Sequence, residues 1–267
     1  FYYEAENISS KTPIVFLHGF TGNLNDWKFL INKLPPEFTL VIIDLIGHGK
    51  SSSPDSLKYY SSKSQIIFLN KIFEKLNLTN IILVGYSMGG RLTLDFTFAF
   101  PENVQAIVLE SSSFGLTTKI EKEERIINDR KIAELISKSS IEDFITYWIN
   151  IPLFNSLKSL SKKKYEKNIK EKIKSNNSIG LKNSLIGFST GKMKNYFRLA
   201  NKINQKALLI TGELDNKFTN IAEKANNILP NTNFVKVKNA GHNVHLEKPQ
   251  EFLKLLNTFL LKIRNNK

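Results

Sequence analysis

The 267-residue chain contains no cysteine. That absence excludes disulfides, thiolate metal sites and a cysteine nucleophile, and it is compatible with a cytoplasmic location. The chain also has no apolar run near the ~20 residues that a membrane-spanning helix requires. Its first residues show neither a basic start nor a long apolar centre, so we expect no signal peptide and no membrane insertion.

Acidic residues are few relative to basic ones. The chain has 24 Asp and Glu against 38 Lys and Arg, for a formal net charge of +14. Segment 112–200 carries about twice as many basic as acidic residues, many of them in a lysine-rich run that begins at Lys162. We interpret this charge mainly as a solvated helix face and secondly as attraction for an anionic substrate. Nucleic acid is not an expected partner, because no recognised binding motif accompanies the charge.

What the chain does contain is a series of short apolar runs bounded by turn residues. They occupy 14–17, 40–44, 81–84, 106–109, 207–211 and 234–237. Runs of this length are typical of parallel strands that are buried on both faces. Helical patterns occupy 24–34, 64–76, 91–100 and 249–263. The alternation predicts an α/β fold with a doubly wound, mostly parallel sheet.

The alternation stops between about residues 112 and 198. This stretch has helical periodicities, as in 141–148 and 181–188, but no convincing strand. We therefore predict an α/β core formed by 1–111 and 199–267, with a helical cap inserted at 112–198. A chain of this length often forms one such unit.

Residues 81–91, which read IILVGYSMGGR, carry the clearest catalytic pattern. An apolar run ends in Gly85-x-Ser87-x-Gly89, and a helix-compatible segment follows, which predicts strand, sharp turn and helix. Glycines suit this turn because strand and helix approach each other closely. Ser87 is then expected at the carboxyl end of a parallel strand, where open α/β sheets bind their ligands.

A serine hydroxyl needs a base to take its proton, usually a histidine oriented by a carboxylate. Run 207–211 is followed by Gly212-Glu213-Leu214-Asp215, and run 234–237 is followed by Asn239-Ala240-Gly241-His242. Both segments are expected at the same sheet edge as Ser87. We predict His242 as the base and Asp215 as its orienting acid. Glu213 is the rival acid, and it is less favoured because it sits closer to the strand end.

The remaining turns predict the oxyanion donors. Leu17-His18-Gly19-Phe20 follows the first predicted strand. We expect the backbone N–H of Phe20 to be one oxyanion donor and that of Met88 to be the other. His48 and His245 are interpreted as turn residues fixed by hydrogen bonds. No metal site is expected, because none of the four histidines forms a helical pair with a third ligand.

With these residues in place, the chain resembles the α/β-hydrolase superfamily. More narrowly, it resembles the 2-succinyl-6-hydroxy-2,4-cyclohexadiene-1-carboxylate synthase family of menaquinone biosynthesis. The superfamily motifs are LHGFTG at 17–22 and GYSMGG at 85–90. The narrower resemblance rests on Arg91, Gly115-Leu116, Arg125, Asp129-Arg130, Ala133, Trp148 with Pro152 and Phe154, Ser175-Asn176-Asn177 before Gly180, Lys217-Phe218, and Asn243-x-His245-x-Glu247-x-Pro249.

This resemblance implies a lyase reaction. The family eliminates pyruvate from an enolpyruvyl ether on a cyclohexene ring that also carries carboxylate and succinyl groups. Ser87, assisted by His242 and Asp215, is then expected to remove a carbon-bound proton rather than to attack an acyl carbon, and no cofactor is required. A polyanionic small-molecule substrate needs buried cations, and guanidinium groups suit carboxylates best.

The resemblance also assigns substrate-binding roles to Arg91, Arg125, Lys174, Tyr86 and Trp148. Lys174 stands where the family usually has arginine. Lysine keeps the charge but loses the two-pronged geometry of the guanidinium, so we expect weaker binding of a carboxylate at that position. Tyr86 and Trp148 are also compatible with simple core packing.

Two other functions stay open at this point. A serine hydrolase of esters or C–C bonds uses the same triad but has no need of arginines in the cap. A hydrolase-fold small-molecule receptor with little turnover is less favoured, because the triad is complete and the cap is basic. The oligomeric state is not indicated by the sequence.

Overall fold

A computed structural model describes residues 1–6 and 12–264. Within them, seven strands form one sheet in the order β1-β3-β2-β4-β5-β6-β7. The strands are β1 (Tyr2–Glu6), β2 (Thr12–Leu17), β3 (Phe38–Asp44), β4 (Ile81–Tyr86), β5 (Val104–Glu110), β6 (Lys206–Gly212) and β7 (Thr232–Val237). Neighbouring strands are parallel except β1, which pairs antiparallel with β3 at the edge.

Helices connect the strands on both sides of the sheet. They are α1 (Ser62–Lys75), α2 (Met88–Ala99), α3 (Lys119–Lys138), α4 (Ile141–Ile149), α5 (Lys162–Ser175), α6 (Ser178–Gly187), α7 (Asn216–Asn226), α8 (Val244–Glu247) and α9 (Pro249–Arg264). Shorter 3₁₀ helices include Leu24–Leu30 and Pro152–Ser159. In the part of the chain that is described, no helix combines the length and the apolarity needed to cross a bilayer.

The predicted doubly wound sheet is confirmed, and each of the six predicted strands lies within an observed one. Strand β1 was not predicted. Its sequence, YYEAE, has no continuous apolar run, and residues 2–5 are only partly buried at the sheet edge. The predicted helix at 24–34 is a 3₁₀ helix that ends at Leu30.

The apolar strands form two core layers, one on each face of the sheet. Side chains alternate between the faces of a strand. In β2, Val15 and Leu17 pack in one layer, whereas Ile14 and Phe16 pack in the other. All four are fully buried. Burying such a side chain stabilises the fold by roughly 1.5–3 kcal/mol, so β2 fixes the turn that follows it on a rigid base.

Helices α3 to α6 lie between β5 and β6 and form the cap. They have an apolar cluster of their own, which comprises Ile136, Phe144, Ile145, Ile149, Leu181 and Leu185. Helix α5 packs against it with Tyr165, Ile169 and Ile173, so many of its lysines lie exposed on the opposite face. The boundaries 112 and 198 for the cap stay a prediction.

The cap docks on the turn after β3. His48 and Asn176 form an isolated antiparallel β-bridge. Gly47, at φ +80°, lies so close to Gly180 that a Cβ on either residue would collide with the other's backbone. Only glycine permits this approach, so the pair fixes one point of the cap over the carboxyl ends of the central strands.

Candidate active site

Ser87 lies between β4 and α2 in a strained turn. Its φ of +50° and ψ of −103° fall in a region that non-glycine residues rarely occupy, at a cost of about 1–3 kcal/mol. A Cβ on Gly85 would lie 2.5 Å from the Gly90 nitrogen, and one on Gly89 would collide with the Leu17 carbonyl. The glycines therefore allow the turn that lifts Ser87 above the strand end.

The three predicted triad residues are brought together. His242 Nε2 lies 3.0 Å from Ser87 Oγ, and His242 Nδ1 lies 2.6 Å from Asp215 Oδ2. Asp215 and His242 are both buried. The Nδ1–H donates to the carboxylate, which leaves Nε2 free to accept the serine hydroxyl proton. This arrangement can deprotonate Ser87 and stabilise the imidazolium that results.

Of the two candidate acids, Asp215 is the one whose carboxylate contacts His242. Asp215 is the N-cap of α7, and its Oδ1 accepts the Phe218 N–H at 3.2 Å, which holds the carboxylate in place. Glu213 is exposed, and its Oε2 accepts the Asn239 N–H at 3.1 Å. Among the described contacts Glu213 makes no hydrogen bond to His242, so Asp215 stays the proposed acid.

The turn that carries Phe20 is fixed by a neutral histidine. His18 Nδ1 donates to the Gly19 carbonyl at 2.7 Å, and its Nε2 accepts the Leu45 N–H at 2.9 Å. The close approach of Gly89 to Leu17 sets this turn against α2. Met88 is the first residue of α2, so its N–H has no carbonyl partner within the helix. The roles of Phe20 and Met88 as oxyanion donors stay a proposal.

His18 and His48 are held neutral at pH 7. Burial lowers the pKa of His18 to about 4, and the positive charge of Lys172 adds to the effect. Burial, then His18 and Lys172, lower the pKa of His48 to about 3. His48 Nδ1 donates to the Ile46 carbonyl at 3.1 Å. Both histidines are bonded to the backbone of their own turns and neither lies in an ion pair among the described residues.

His245 makes stronger contacts than a turn residue requires. It is 2% exposed, and its backbone N–H and its Nδ1 lie 3.0 and 2.7 Å from the two carboxylate oxygens of Glu110. Its ring stacks on Trp27 with centroids 4.2 Å apart. Sequence reasoning missed Glu110, because an acidic residue at the end of an apolar strand resembles the beginning of a solvated turn.

Arg91 is a buried cation with no ion pair among the described residues. It projects from α2 one turn after Ser87, and its Nη1 donates to the Phe188 carbonyl at 2.7 Å. The guanidinium carbon also lies 4.5 Å from the centre of the Phe188 ring. Burial lowers the pKa of Arg91 to about 10, with a further contribution from Arg125, so the side chain is still charged at pH 7.

Arg125 is the second cation of this region, and it is more accessible. Its Nε donates to Asp129 Oδ1 at 2.8 Å, and its side chain is 36% exposed. Asp129 is buried, and its Oδ2 has no hydrogen-bond partner among the described groups. Arg125 is near enough to lower the pKa of Arg91, while Asp129 offsets part of this charge, so the two guanidinium groups form a candidate carboxylate site.

Aromatic side chains cover the triad. Tyr86, the last residue of β4, lies with its ring 5.4 Å from that of His242. Two further rings that sequence reasoning did not assign to the site contact His242 as well: Phe154 from the cap at 5.6 Å and Phe218 from α7 at 4.5 Å. Trp148 packs against Phe154 at 6.2 Å. These rings shelter the base from solvent.

The chain is similar in sequence and fold to proteins that are already known. A family model described as the alpha/beta hydrolase fold matches residues 12–249. A Bacillus subtilis protein provisionally named 2-succinyl-6-hydroxy-2,4-cyclohexadiene-1-carboxylate synthase is 41% identical over 262 residues, which cover 97% of this chain and 93% of that protein. This chain belongs to that synthase family.

Two solved structures are also similar to this chain over nearly its whole length. The solved structure of MenH from S. aureus has a TM-score of 0.93 at 29% identity and covers 98% of both chains. An esterase from Thermogutta terrifontis has a TM-score of 0.84 at 20% identity, covering 98% of this chain and 93% of that one. At that level of identity the esterase shares the fold alone.

Lys174, to which family resemblance assigned a substrate-binding role, is exposed on α5, beside Lys167 and Lys170, and that role stays a proposal. Helical periodicity places it opposite Ile169 and Ile173, which pack inward. Lys172 is the buried lysine of this helix.

The side chain of Lys172 reaches from the cap to the turn that carries Phe20. Its Nζ lies 3.4 Å from the Thr21 carbonyl, which also accepts the Asn176 Nδ2–H at 3.0 Å. Sequence reasoning missed Lys172 because it lies in a lysine-rich run that was interpreted as a solvated face.

Among the described residues, no group of three or more His, Asp or Glu side chains is placed to hold a metal ion.

Proposed function

We propose that this chain eliminates pyruvate from 2-succinyl-5-enolpyruvyl-6-hydroxy-3-cyclohexene-1-carboxylate. The other product is 2-succinyl-6-hydroxy-2,4-cyclohexadiene-1-carboxylate, an intermediate of menaquinone biosynthesis. Membership of the synthase family supports the reaction. The observation that favours it over ester hydrolysis is Arg91, a buried cation without an ion pair among the described residues, one helical turn from Ser87.

The proposed reaction begins with two proton transfers. His242 Nε2 takes the hydroxyl proton of Ser87, and Ser87 Oγ takes a proton from a ring carbon of the substrate. The electrons of the broken C–H bond form one ring double bond, the electrons of the existing ring double bond shift to form the second, and the C–O bond to the enolpyruvyl group breaks. The proton on His242 then passes to the departing enol oxygen, and the enol becomes pyruvate. Asp215 stabilises the intermediate imidazolium.

The ring C–H bond is acidic enough for this chemistry because the carbanion that remains after proton removal is conjugated with a carbonyl-bearing group. Negative charge then develops on that carbonyl oxygen as the C–H bond breaks. The proposed hydrogen-bond donors to this oxygen are the N–H of Phe20, in the turn after β2, and the N–H of Met88, in the first turn of α2. Side chains handle every proton, so the proposed reaction needs no cofactor.

The substrate's carboxylates are proposed to bind Arg91 and Arg125. Charge-assisted hydrogen bonds to a guanidinium are shorter and stronger than neutral ones, and burial strengthens them further. Tyr86, Trp148 and Phe154 would then contact the apolar parts of the cyclohexene ring. The oligomeric state stays open.

The experiment that tests this proposal follows pyruvate release from the enolpyruvyl-cyclohexene substrate, with the Ser87→Ala variant as a control. We expect release by the wild type and very little by the variant. Short neutral esters, assayed in parallel, should react slowly. Rapid turnover of neutral esters with no pyruvate release would instead indicate a serine hydrolase, whereas binding of the substrate without turnover would indicate a receptor.

A further inference from the structure

Glu110 connects the two halves of the triad. Its backbone carbonyl, at the end of β5, accepts the N–H of Ser87 at 2.8 Å. Its side chain is fully buried and contacts the backbone N–H and Nδ1 of His245, three residues after His242. One residue therefore contacts both the turn of the nucleophile and the loop of the base.

The loop that carries His242 has a second carboxylate, which acts differently. Glu247 accepts the N–H groups of Gly241 and Asn243, at 2.8 and 3.3 Å, on either side of His242. Glu247 belongs to the same loop and helix α8, so these bonds fix the loop's internal shape. Glu110 joins this loop to a residue of the sheet itself, whereas Asp215 and Glu213, whose carboxylates also contact the loop, belong to the turn after β6.

We infer that Glu110 is a positioning residue, which acts through His245 to hold His242 Nε2 within hydrogen-bonding distance of Ser87. The inference rests on the catalytic roles proposed for Ser87 and His242. The Ser87–His242 distance of 3.0 Å depends on two loops from different strands. A displacement of about 1 Å is enough to lower a rate by roughly 10²-fold, so the anchor matters to catalysis.

The test compares Glu110→Ala, Glu110→Gln and Asp44→Ala. Asp44 is a matched control, because it is equally buried at the end of β3 and accepts two backbone N–H groups, those of Leu24 and Lys50, away from the His242 loop. Near-ultraviolet circular dichroism confirms folding at the assay temperature. The kinetic measurements are kcat and KM for pyruvate release.

We expect Glu110→Ala to lower kcat by about 10²-fold while KM changes by less than about 3-fold, because substrate contacts are retained. Glu110→Gln should restore most of kcat, since its amide oxygen can accept the backbone N–H of His245 while its NH2 group donates to His245 Nδ1 in the other imidazole tautomer. Asp44→Ala should lower stability but keep kcat within about 3-fold. A folded Glu110→Ala variant with normal kcat, or an equal loss of kcat in Asp44→Ala, would overturn the inference.

Two further measurements keep the test decisive. If Glu110→Ala does not fold, His245→Gln replaces it, with an expected kcat loss of about 10-fold at unchanged KM; a normal kcat there overturns the inference. The second measurement is labelling of Ser87 by a fluorophosphonate, which requires the triad but not the cyclohexene substrate. Slower labelling of Glu110→Ala supports the inference even when the wild type releases no pyruvate, in which case the proposed function alone fails. A wild type that neither labels nor releases pyruvate overturns both.

Discussion

The histidines on the two sides of Ser87 are held in different ways. On the β7 side, His242 and His245 each contact a buried carboxylate, that of Asp215 or Glu110. On the β2–β3 side, His18 and His48 donate to backbone carbonyls and lie near the buried cation Lys172. A carboxylate stabilises an imidazolium, whereas burial beside a cation disfavours one. These contacts agree with the proposal that proton transfer takes place on the β7 side and that an anion binds on the other side.

The largest expected loss of activity comes from removing Ser87 or His242, the two residues proposed to transfer protons. Ser87→Ala or His242→Ala should lower kcat by on the order of 10³-fold or more, because neither residue's partner can replace it. Both side chains lie at loop positions over an intact core, so the variants should fold. Steady-state pyruvate release measures the effect. Near-normal turnover by Ser87→Ala would show that Ser87 is not the base.

The acid in the triad gives a matched pair of variants. Asp215→Asn should lower kcat strongly, by up to about 10⁴-fold, because the amide can favour the wrong imidazole tautomer. Glu213→Gln is the control, since Glu213 is exposed and does not contact His242. Its kcat should be near that of the wild type. The opposite ranking would transfer the role of acid to Glu213.

The cations give the next largest effect. Arg91→Ala should lower kcat/KM by about 10²-fold, since Arg91 is buried and no carboxylate of the described residues pairs with it. Arg125→Ala should cost only about 10-fold, because the side chain is 36% exposed and already bonded to Asp129. Neutral esters serve as the control substrate. If the Arg91→Ala variant loses as much activity towards them, the effect does not come from substrate charge.

Lys172 and Lys174 form a smaller, sharper comparison. Replacing Lys172 by Met should raise KM by several-fold, because its charge lies beside the turn that carries Phe20. Replacing Lys174 by Met should change KM less, since Lys174 is exposed and screened by solvent. The same assay at two salt concentrations separates local from long-range effects. A larger effect at Lys174 would support the role that family resemblance assigned to it.

The smallest effect concerns stability in acid. The pKa of His48 is about 3 in the folded chain, below the ordinary value of 6.5, so the unfolded chain binds the extra proton. The contribution of neutral His48 to the free energy of unfolding is therefore present above pH 6.5 and decreases as the pH falls below that value. Between pH 7 and pH 5, the free energy of unfolding should therefore decrease by about 2 kcal/mol less in His48→Gln than in the wild type. Urea unfolding at both pH values measures this. Equal losses in wild type and variant would contradict it.

Much of the fold and the triad could be predicted because their signals are local. A strand that is buried on both faces needs an apolar run, and a nucleophile turn needs glycines such as Gly85 and Gly89 in fixed places. Asp215 and His242 each follow such a run directly. Their shared position at one sheet edge then follows from the parallel topology.

The residues that were missed depend on contacts between distant segments. Glu110 and His245 are 135 positions apart, and nothing near Glu110 in the chain indicates its partner. Lys172 and Lys174 differ only in the face of α5 that they occupy, and a run of lysines does not indicate which face is buried. Edge strand β1, with the sequence YYEAE, has no apolar run that predicts a strand, whereas β7 at the other edge has the one at 234–237.

The contact between Gly47 and Gly180 limits how this enzyme can be recombined. The two backbones touch where the cap meets the sheet, so each glycine is required by a residue more than one hundred positions away. A cap grafted from a relative would fit this sheet only if it brought its own glycine to the same point. Chimeras that exchange segments across this contact should therefore be designed with the two positions treated as one unit.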